Sequence, residues 1–545
     1  MKILSASFAL TLILVFIETP MGQINRQSPR DVGLTSSLMG RSVQQPFAGH
    51  VRKSPVALHA NTTTAGQDFT FPGNDSLYQQ TKFVASNISA GDDFGWSVDI
   101  SGDYAVVGAP GADSQGADSG AAYVFVRTGT NWTQQAILTH IGIGAGDRFG
   151  TSVAISGNTV VVGAPGTNSN GSDSGAAYIF VRSGTSWTYT TPLTPSNYPA
   201  GGLFGHDVDI DGGSIVASSI ESAVGPGSVF VFTYSAPLWS QQGAPIVLLD
   251  NTSNPIGNTG DDFGYSVAIS GDKIVVGAPS ADIMNINDGV VEFFERSAGV
   301  WSLSDIYTVS TAVGGENLGH SVAISGNAAI VGLPGSGGGA GGVAVYRYSG
   351  SSWSAEQDFG GINLSEVGSS VSISGDFFVV GAWKYNGGNE TGVAYLYNKI
   401  GNWGLVGTLV GGDTNLGDRF GVNTALDGYT AVVGAYLERT SGAGGNTNRS
   451  GAAYPFFFYT TTAGGVRLSG HVKTPEGKGL RNASVIITDS RGERKIVKTS
   501  LMGNFLFDNL KAAEPYVLSI RSKRYRYQDR LLTLTEDLSN LELIP

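Results

Sequence analysis

Residues 94–110 read FGWSVDISGDYAVVGAP, and this stretch decides the fold. It opens on Phe-Gly, alternates through one short strand, turns at Ser101-Gly102-Asp103 and returns through an apolar strand to Gly-Ala-Pro. The pattern recurs at residues 149–165 and 263–279, with weaker copies starting at Phe204, Leu318, Val367 and Phe420. In six copies a glycine stands 14 residues after the start: Gly108, Gly163, Gly277, Gly332, Gly381 and Gly434. Ser218 takes that place in the seventh. The starts lie 55, 55, 59, 55, 49 and 53 residues apart. A period near 50 residues with strand-type content predicts a propeller or a solenoid.

The copy at Phe149 shows why. SVAIS at 152–156 alternates, as a strand with two unlike faces does. Ser156-Gly157-Asn158 is turn chemistry. TVVVGA at 159–164 is apolar throughout, which suits a strand covered on both faces. A Gly-rich loop leads to a third strand at 176–182, and a tight turn leads to a fourth starting at Trp187. Such a four-stranded meander has the size of one propeller blade. The recurring glycine permits close backbone approach. Trp132, Trp187, Trp239, Trp301, Trp353 and Trp403 share one repeat position, which predicts packing between blades rather than ligand stacking.

The Phe-Gly…Gly-Ala-Pro pattern resembles the FG-GAP repeat family, known from the integrin alpha-chain propeller. The resemblance spans residues 77–462 and implies an all-β fold, a seven-bladed β-propeller. The last copy has only three strands before the repeat stops, so residues 77–86 are expected to supply its fourth strand and close the ring.

Outside the repeat the chain changes character. Residues 1–22 read as a signal peptide, with Lys2 ahead of an apolar run at 3–17. Residues 23–76 read as a flexible lead segment. Over residues 77–465 there are 12 basic and 31 acidic side chains, a net of −19; residues 466–545 carry 14 and 9, a net of +5. An acidic body argues against nucleic acid as a partner. The absence of cysteine removes disulfides, thiolate metal sites and cysteine nucleophiles together. No stretch after the signal is long and apolar enough for a membrane helix. Residues 466–545 resemble the carboxypeptidase regulatory-like domain, a transthyretin-type β-sandwich. The match is carried by Gly470, Gly479, Ala483, Thr499, Gly503-Asn504-Phe505, Phe507, Leu510 and Tyr516. The resemblance implies no peptidase activity.

Chemistry is sparse. His50, His59, His140, His206, His320 and His471 show no metal-binding spacing. His206 and His320 share the repeat position after Phe-Gly, near the expected ring axis, and read as satisfied rim side chains. No nucleophile elbow and no phosphate loop appears. Integrin-type repeats often carry a calcium loop where this chain has a short Ser-Gly-Asp/Asn turn. Only Asp207, Asp209 and Asp211, followed by Gly212-Gly213, have the look of one, and they lack its later acid. A second acidic set precedes the third strands: Asp113 and Asp118, Asn168 and Asp173, Asp282 and Asp288. These read as Asp-turns, with calcium as the sharper alternative. Otherwise no cofactor is implied. Arg521, Lys523, Arg524, Arg526 and Arg530 read as the solvated face of an edge strand.

These readings favour a secreted or cell-surface, non-enzymatic recognition or adhesion protein, expected as a monomer and bacterial in composition. It would bind an extracellular protein or glycan through loops, the unequal ones at 334–342, 383–392 and 436–451 above all. An alternative is a polysaccharide lyase or hydrolase with an axial site. That needs carboxylates, or a Tyr or His with Arg, converging from several blades. A third is a structural module of an envelope.

Overall fold

The computed structural model describes residues 76–545 apart from 129–130, 194, 196–197, 221–224, 251–252, 283–285, 310–313, 362–364, 386–389, 440–448, 460–465, 490–493, 511–513 and 535–537. The signal and the lead segment fall outside the described residues, except for Ser76. The architecture is all-β. The only helix among the described residues is the four-residue Ser336–Gly339.

Residues 76–459 form seven four-stranded antiparallel sheets, an arrangement consistent with a β-propeller. The second sheet is typical: Val153–Ser156, Thr159–Ala164, Ala176–Ser183 and Ser186–Leu193 follow one another as a meander. Thr159–Ala164 is buried from Val160 onward, and its equivalents elsewhere are as deeply covered. A strand covered on both faces has no use for polar side chains, which accounts for the Val-Val-Gly-Ala runs. Ser186–Leu193 alternates exposed and half-buried until the buried Leu193, as an outer strand should.

The inner strands are Ser97–Ser101, Val153–Ser156, Val208–Asp211, Ser266–Ser270, Ser321–Ser325, Ser370–Ser374 and Thr424–Asp427. Each packs against the next, and the last packs against the first. The apolar cores lie between neighbouring sheets. One holds Val106 and Val124 of the first sheet with Phe149 and Val162 of the second; another joins Phe94 and Tyr123 to Val432 and Ala453.

The recurring glycine marks how close the sheets come. A Cβ at Gly108 would lie 2.1 Å from the Gly150 carbonyl oxygen and 2.2 Å from the Ser97 hydroxyl. At Gly434, on the seam between last and first sheets, it would lie 2.0 Å from the Gly95 carbonyl oxygen. No side chain fits at that separation.

The last sheet has the order Ser76–Gln79, Ala452–Tyr459, Thr430–Ala435, Thr424–Asp427, so its outer strand comes from the start of the described chain. Lys82 follows that strand and reaches Asp413 at 2.5 Å and the buried Glu438 at 2.8 Å. The Trp132 indole donates to Gln80 at 2.6 Å, and Trp187, Trp301 and Trp403 donate likewise to Gln135, Gln242 and Glu356. These four tryptophans thus tie four of the outer strands to the end or body of the one before.

Residues 466–545 form two further sheets. Val466–Val472 pairs antiparallel with Asn504–Leu510 and parallel with Leu538–Leu543. Ser484–Thr488 lies between Arg494–Lys498 and Glu514–Arg521, and Arg530–Leu534 completes the order. Leu468, Val485, Ile487, Phe505, Phe507 and Leu518 share one core.

Candidate functional site at the ring axis

Each Phe-Gly pair is entered through a residue in the left-handed region: Asp93, Arg148, Leu203, Asp262, Asn317, Glu366 and Arg419, with φ between 50° and 57°. Non-glycine residues adopt this conformation at a cost, so something must hold it. In four copies that something is a carboxylate one residue earlier. Asp92, Asp147 and Asp261 each accept a backbone N–H from three residues back at 2.7 Å, and Asp418 does so at 2.5 Å. The signal was present in the sequence as Gly-Asp-x-Phe-Gly at 91–95, 146–150, 260–264 and 417–421. The Phe-Gly…Gly-Ala-Pro pattern does not include this acid.

The turn aims the residue after Phe-Gly at the axis. Trp96, Thr151, His206, Tyr265, His320, Ser369 and Val422 line one cavity of 530 Å³, joined by Trp383, Arg419 and Tyr436. Arg419 is held in place from three sides. Its Nε donates to Glu390 at 2.8 Å, an Nη donates to the Tyr436 hydroxyl, and its guanidinium lies 4.6 Å from the Trp383 ring centre. Lys384 sits 4.8 Å from the same indole and pairs with Glu366. Trp96 meets Tyr436 edge-on, with ring centres 4.9 Å apart.

Tyr265 stands between two histidines, 5.2 Å from His206 and 4.9 Å from His320. The Nδ1 of each histidine is buried with no hydrogen-bond partner among the described residues. Burial pushes His206 down to about 4, against a hydrogen bond to the Tyr265 backbone, and burial lowers His320 too. Burial thus favours the neutral form of both rings. Burial, with Asp262 and Asp207 adding, pushes the Tyr265 phenol up.

Asp207, Asp209 and Asp211 stand at alternate positions at and along the inner strand Val208–Asp211 and reach across to the next one. Asp207 accepts the Val267 amide at 2.8 Å, Asp209 the Ile269 amide at 2.7 Å and Asp211 the Gly271 amide at 2.7 Å. Alternate side chains of one strand thus capture alternate amides of the next, on an edge that would otherwise face the channel unpaired. Ser101 and Ser156 do the same for Gly157 and Gly212, and Asp427 does it for Gly102 across the seam. Asp99 accepts the Ile155 amide at 2.6 Å.

Asp99, Asp207 and Asp209 also line the cavity. Burial, with like charge adding, pushes them up to about 8, 7 and 6.

The loop acids take up Asx-type turns. Asp113 accepts the Asp118 amide at 2.9 Å, and Asn168 the Asp173 amide at 2.8 Å. In the third of these loops the equivalence expected for Asp288 is wrong by one place. Asp282 accepts the Asn287 amide at 2.7 Å, and Asn287, like Asp118 and Asp173, has positive φ. Asp288 lies one residue further on and is buried. Among the described residues no three His, Asp or Glu side chains converge in the manner of a metal site.

The remaining sequence candidates lie apart from the axis. His140 packs at a tilt against Tyr189 and accepts the Gly142 amide. Arg521 ends a strand of the C-terminal sheets, and Arg530 begins the edge strand beside it. His50 and His59 fall outside the described residues.

The convergence that the sequence did not display is therefore present. His206, Tyr265, His320 and Arg419, from four separate sheets, face one cavity beside three carboxylates. Among the described residues no helix is long and apolar enough to cross a membrane. No curated protein matches the chain. The FG-GAP repeat, found in adhesion-type and extracellular proteins, matches it at residues 78–125, 132–180, 257–291 and 403–457.

Proposed function

We propose that the chain is a secreted or cell-surface recognition protein without enzymatic activity, and that it binds a glycan at its axial mouth. In this reading the seven sheets are the blades of one closed propeller. Residues 466–545 form a transthyretin-type sandwich that serves as a spacer. One observation carries the reading: Trp96, Tyr265 and Tyr436 line a single cavity that also holds charged and hydroxylic groups. Its 530 Å³ falls in the range of ligand pockets, about 300–1,000 Å³. Aromatic walls with a few convergent polar groups suit sugar rings, which present apolar C–H faces and hydroxyl edges.

Screening the full chain on a glycan array should give a defined set of binders, and Trp96→Ala should abolish them without moving the melting temperature. Absence of any binder, or binders that survive Trp96→Ala, would sink the reading.

The convergence of His206, Tyr265 and Arg419 favours a second reading, a polysaccharide lyase. It asks Tyr265 to act as a base, yet burial raises that phenol and leaves His206 a weak base, so the chemistry runs against the environment. Appearance of unsaturated products from polysaccharides, lost in Tyr265→Phe, would establish it over the first.

A further inference from the structure

We infer that residues 466–545 dock by one end onto an anionic membrane surface. This goes beyond the reading above and does not depend on the axial cavity. Strand pairing sets the geometry. Lys498 and Arg521 both stand opposite Ser484, and Asn504 stands opposite His471. The connections 473–483, 499–503 and 522–529 therefore gather at the same end. Hydrogen bonds knit them together. The Tyr527 hydroxyl donates to the Lys473 carbonyl at 2.7 Å, the Thr499 hydroxyl to the Leu480 carbonyl at 2.6 Å and the Asn482 amide to the Thr499 carbonyl at 3.0 Å. Val466–Val472, the first strand after the repeat, runs toward this end, so the end lies away from where the chain enters.

The end is basic. Residues 473–483, 498–503 and 521–530 carry nine Lys and Arg side chains against two acids, Glu476 and Asp529. The segments that join the strands at the other end, 489–493, 511–513 and 535–537, carry two basic and four acidic residues. Lys473 pairs with Glu542, whereas the exposed Arg481, Lys523, Arg524 and Arg526 form no ion pair among the described residues.

The same end carries an apolar tip. The turn between Arg494–Lys498 and Asn504–Leu510 is closed by the Gly503 amide on the Ser500 carbonyl at 3.0 Å and by the Ser500 amide on the Asn504 carbonyl at 2.9 Å. Such turns ordinarily hold polar residues. This one holds Leu501 and Met502, each 71% exposed. A polyanion or an acidic protein would account for the bases and leave these two side chains in water. An anionic bilayer takes both: its headgroups receive the guanidinium and ammonium groups, and its interfacial zone receives Leu501 and Met502. The docking is peripheral, because two side chains reach the interface and no backbone enters the hydrocarbon.

Sedimentation of the full chain with vesicles tests this, using phosphatidylcholine alone and an equimolar mixture with phosphatidylglycerol. The chain should bind the mixed vesicles, leave the neutral ones in suspension, and release as salt is raised. Arg524→Gln with Arg526→Gln should weaken binding about twentyfold, since each charge near the surface contributes about fivefold. Leu501→Ser with Met502→Ser should weaken it about tenfold and keep the salt dependence. All four side chains are exposed, so neither variant should shift the melting temperature. Binding to neither vesicle, equal binding to both, or full binding by the Leu501–Met502 variant overturns the proposal. Salt-sensitive self-association in place of vesicle binding also overturns it, and assigns the basic end to the acidic repeat of a second copy.

Discussion

The copies at Phe94 and Phe204 share one backbone and differ in almost every side chain that faces the axis. The first presents Ser97, Asp99 and Ser101; the other presents Asp207, Asp209 and Asp211. The first closes on Gly108, the other on Ser218. Yet both inner strands are latched to the next sheet by side-chain acceptors, through Asp99 and Ser101 in one and all three aspartates in the other. The repeat conserves a geometric duty, the pairing of an exposed strand edge, and lets the residue type vary. Where the duty falls to backbone separation, as at Gly108, the residue type does not vary freely.

The largest expected effect comes from testing that last point. Gly108→Ala puts a methyl 2.1 Å from the Gly150 carbonyl oxygen, which belongs to the neighbouring sheet and cannot yield without sliding it. Overpacking of this kind costs about 3 kcal/mol. Ser218→Gly at the equivalent place loses the hydroxyl that accepts the Asp207 amide at 3.0 Å and donates to the Asp207 carbonyl at 3.3 Å, about 1 kcal/mol. Denaturant melts of the two variants should rank them in that order. Equal losses would mean that the separation at Gly108 is not fixed by the fold.

The second effect concerns charge. Asp99 and Asp207 have acid constants pushed up to about 8 and 7 in the folded chain, chiefly by burial, against 3.8 ordinarily. Below those values the folded chain holds protons that the unfolded chain has released, so its stability rises as pH falls through them. His206 and His320 act in the opposite sense below 6.5, because burial disfavours their charged forms. The clean window therefore runs from about 8 down to 6.5, and there the melting temperature should climb on acidification. Asp99→Asn with Asp207→Asn should flatten the slope. A melting temperature that falls across that window in the parent chain would reverse the account.

The comparison also shows what could be read from residues alone. The meander, its period and the role of Gly108 follow from residue order, because apolar runs, turns and Gly spacing are local signals. The recurrence of Phe-Gly, or Leu-Gly and Val-Gly in its place, at intervals of 49 to 59 residues even locates the inner strands. The axial site was not legible, because it is assembled by closure. Trp96 and Tyr436 are 340 positions apart in the numbering, and nothing in either stretch names the other. The row Asp207-x-Asp209-x-Asp211 resembled a metal loop for the same reason. A strand that alternates acids looks alike whether its carboxylates face a cation or a row of amides, and the amides belong to residues about 60 places later.

The smallest effect separates a latch made by a hydroxyl from one made by a charge. Ser156 accepts the Gly212 amide at 3.1 Å, and Asp211 accepts the Gly271 amide at 2.7 Å. Both donors lie in exposed turns, so water replaces the lost acceptor and no buried amide is stranded. Ser156→Ala should therefore cost about 0.5 kcal/mol, at the low end for a single hydrogen bond. Asp211→Ala removes a shorter, charge-assisted bond and should cost about 1 kcal/mol, with the excess shrinking as salt is added. If the two variants lose the same stability at every salt concentration, the carboxylates of the Phe204 copy hold the ring no better than the serines do. Their presence at the axis would then have to be explained by what they face in the cavity rather than by what they tie together.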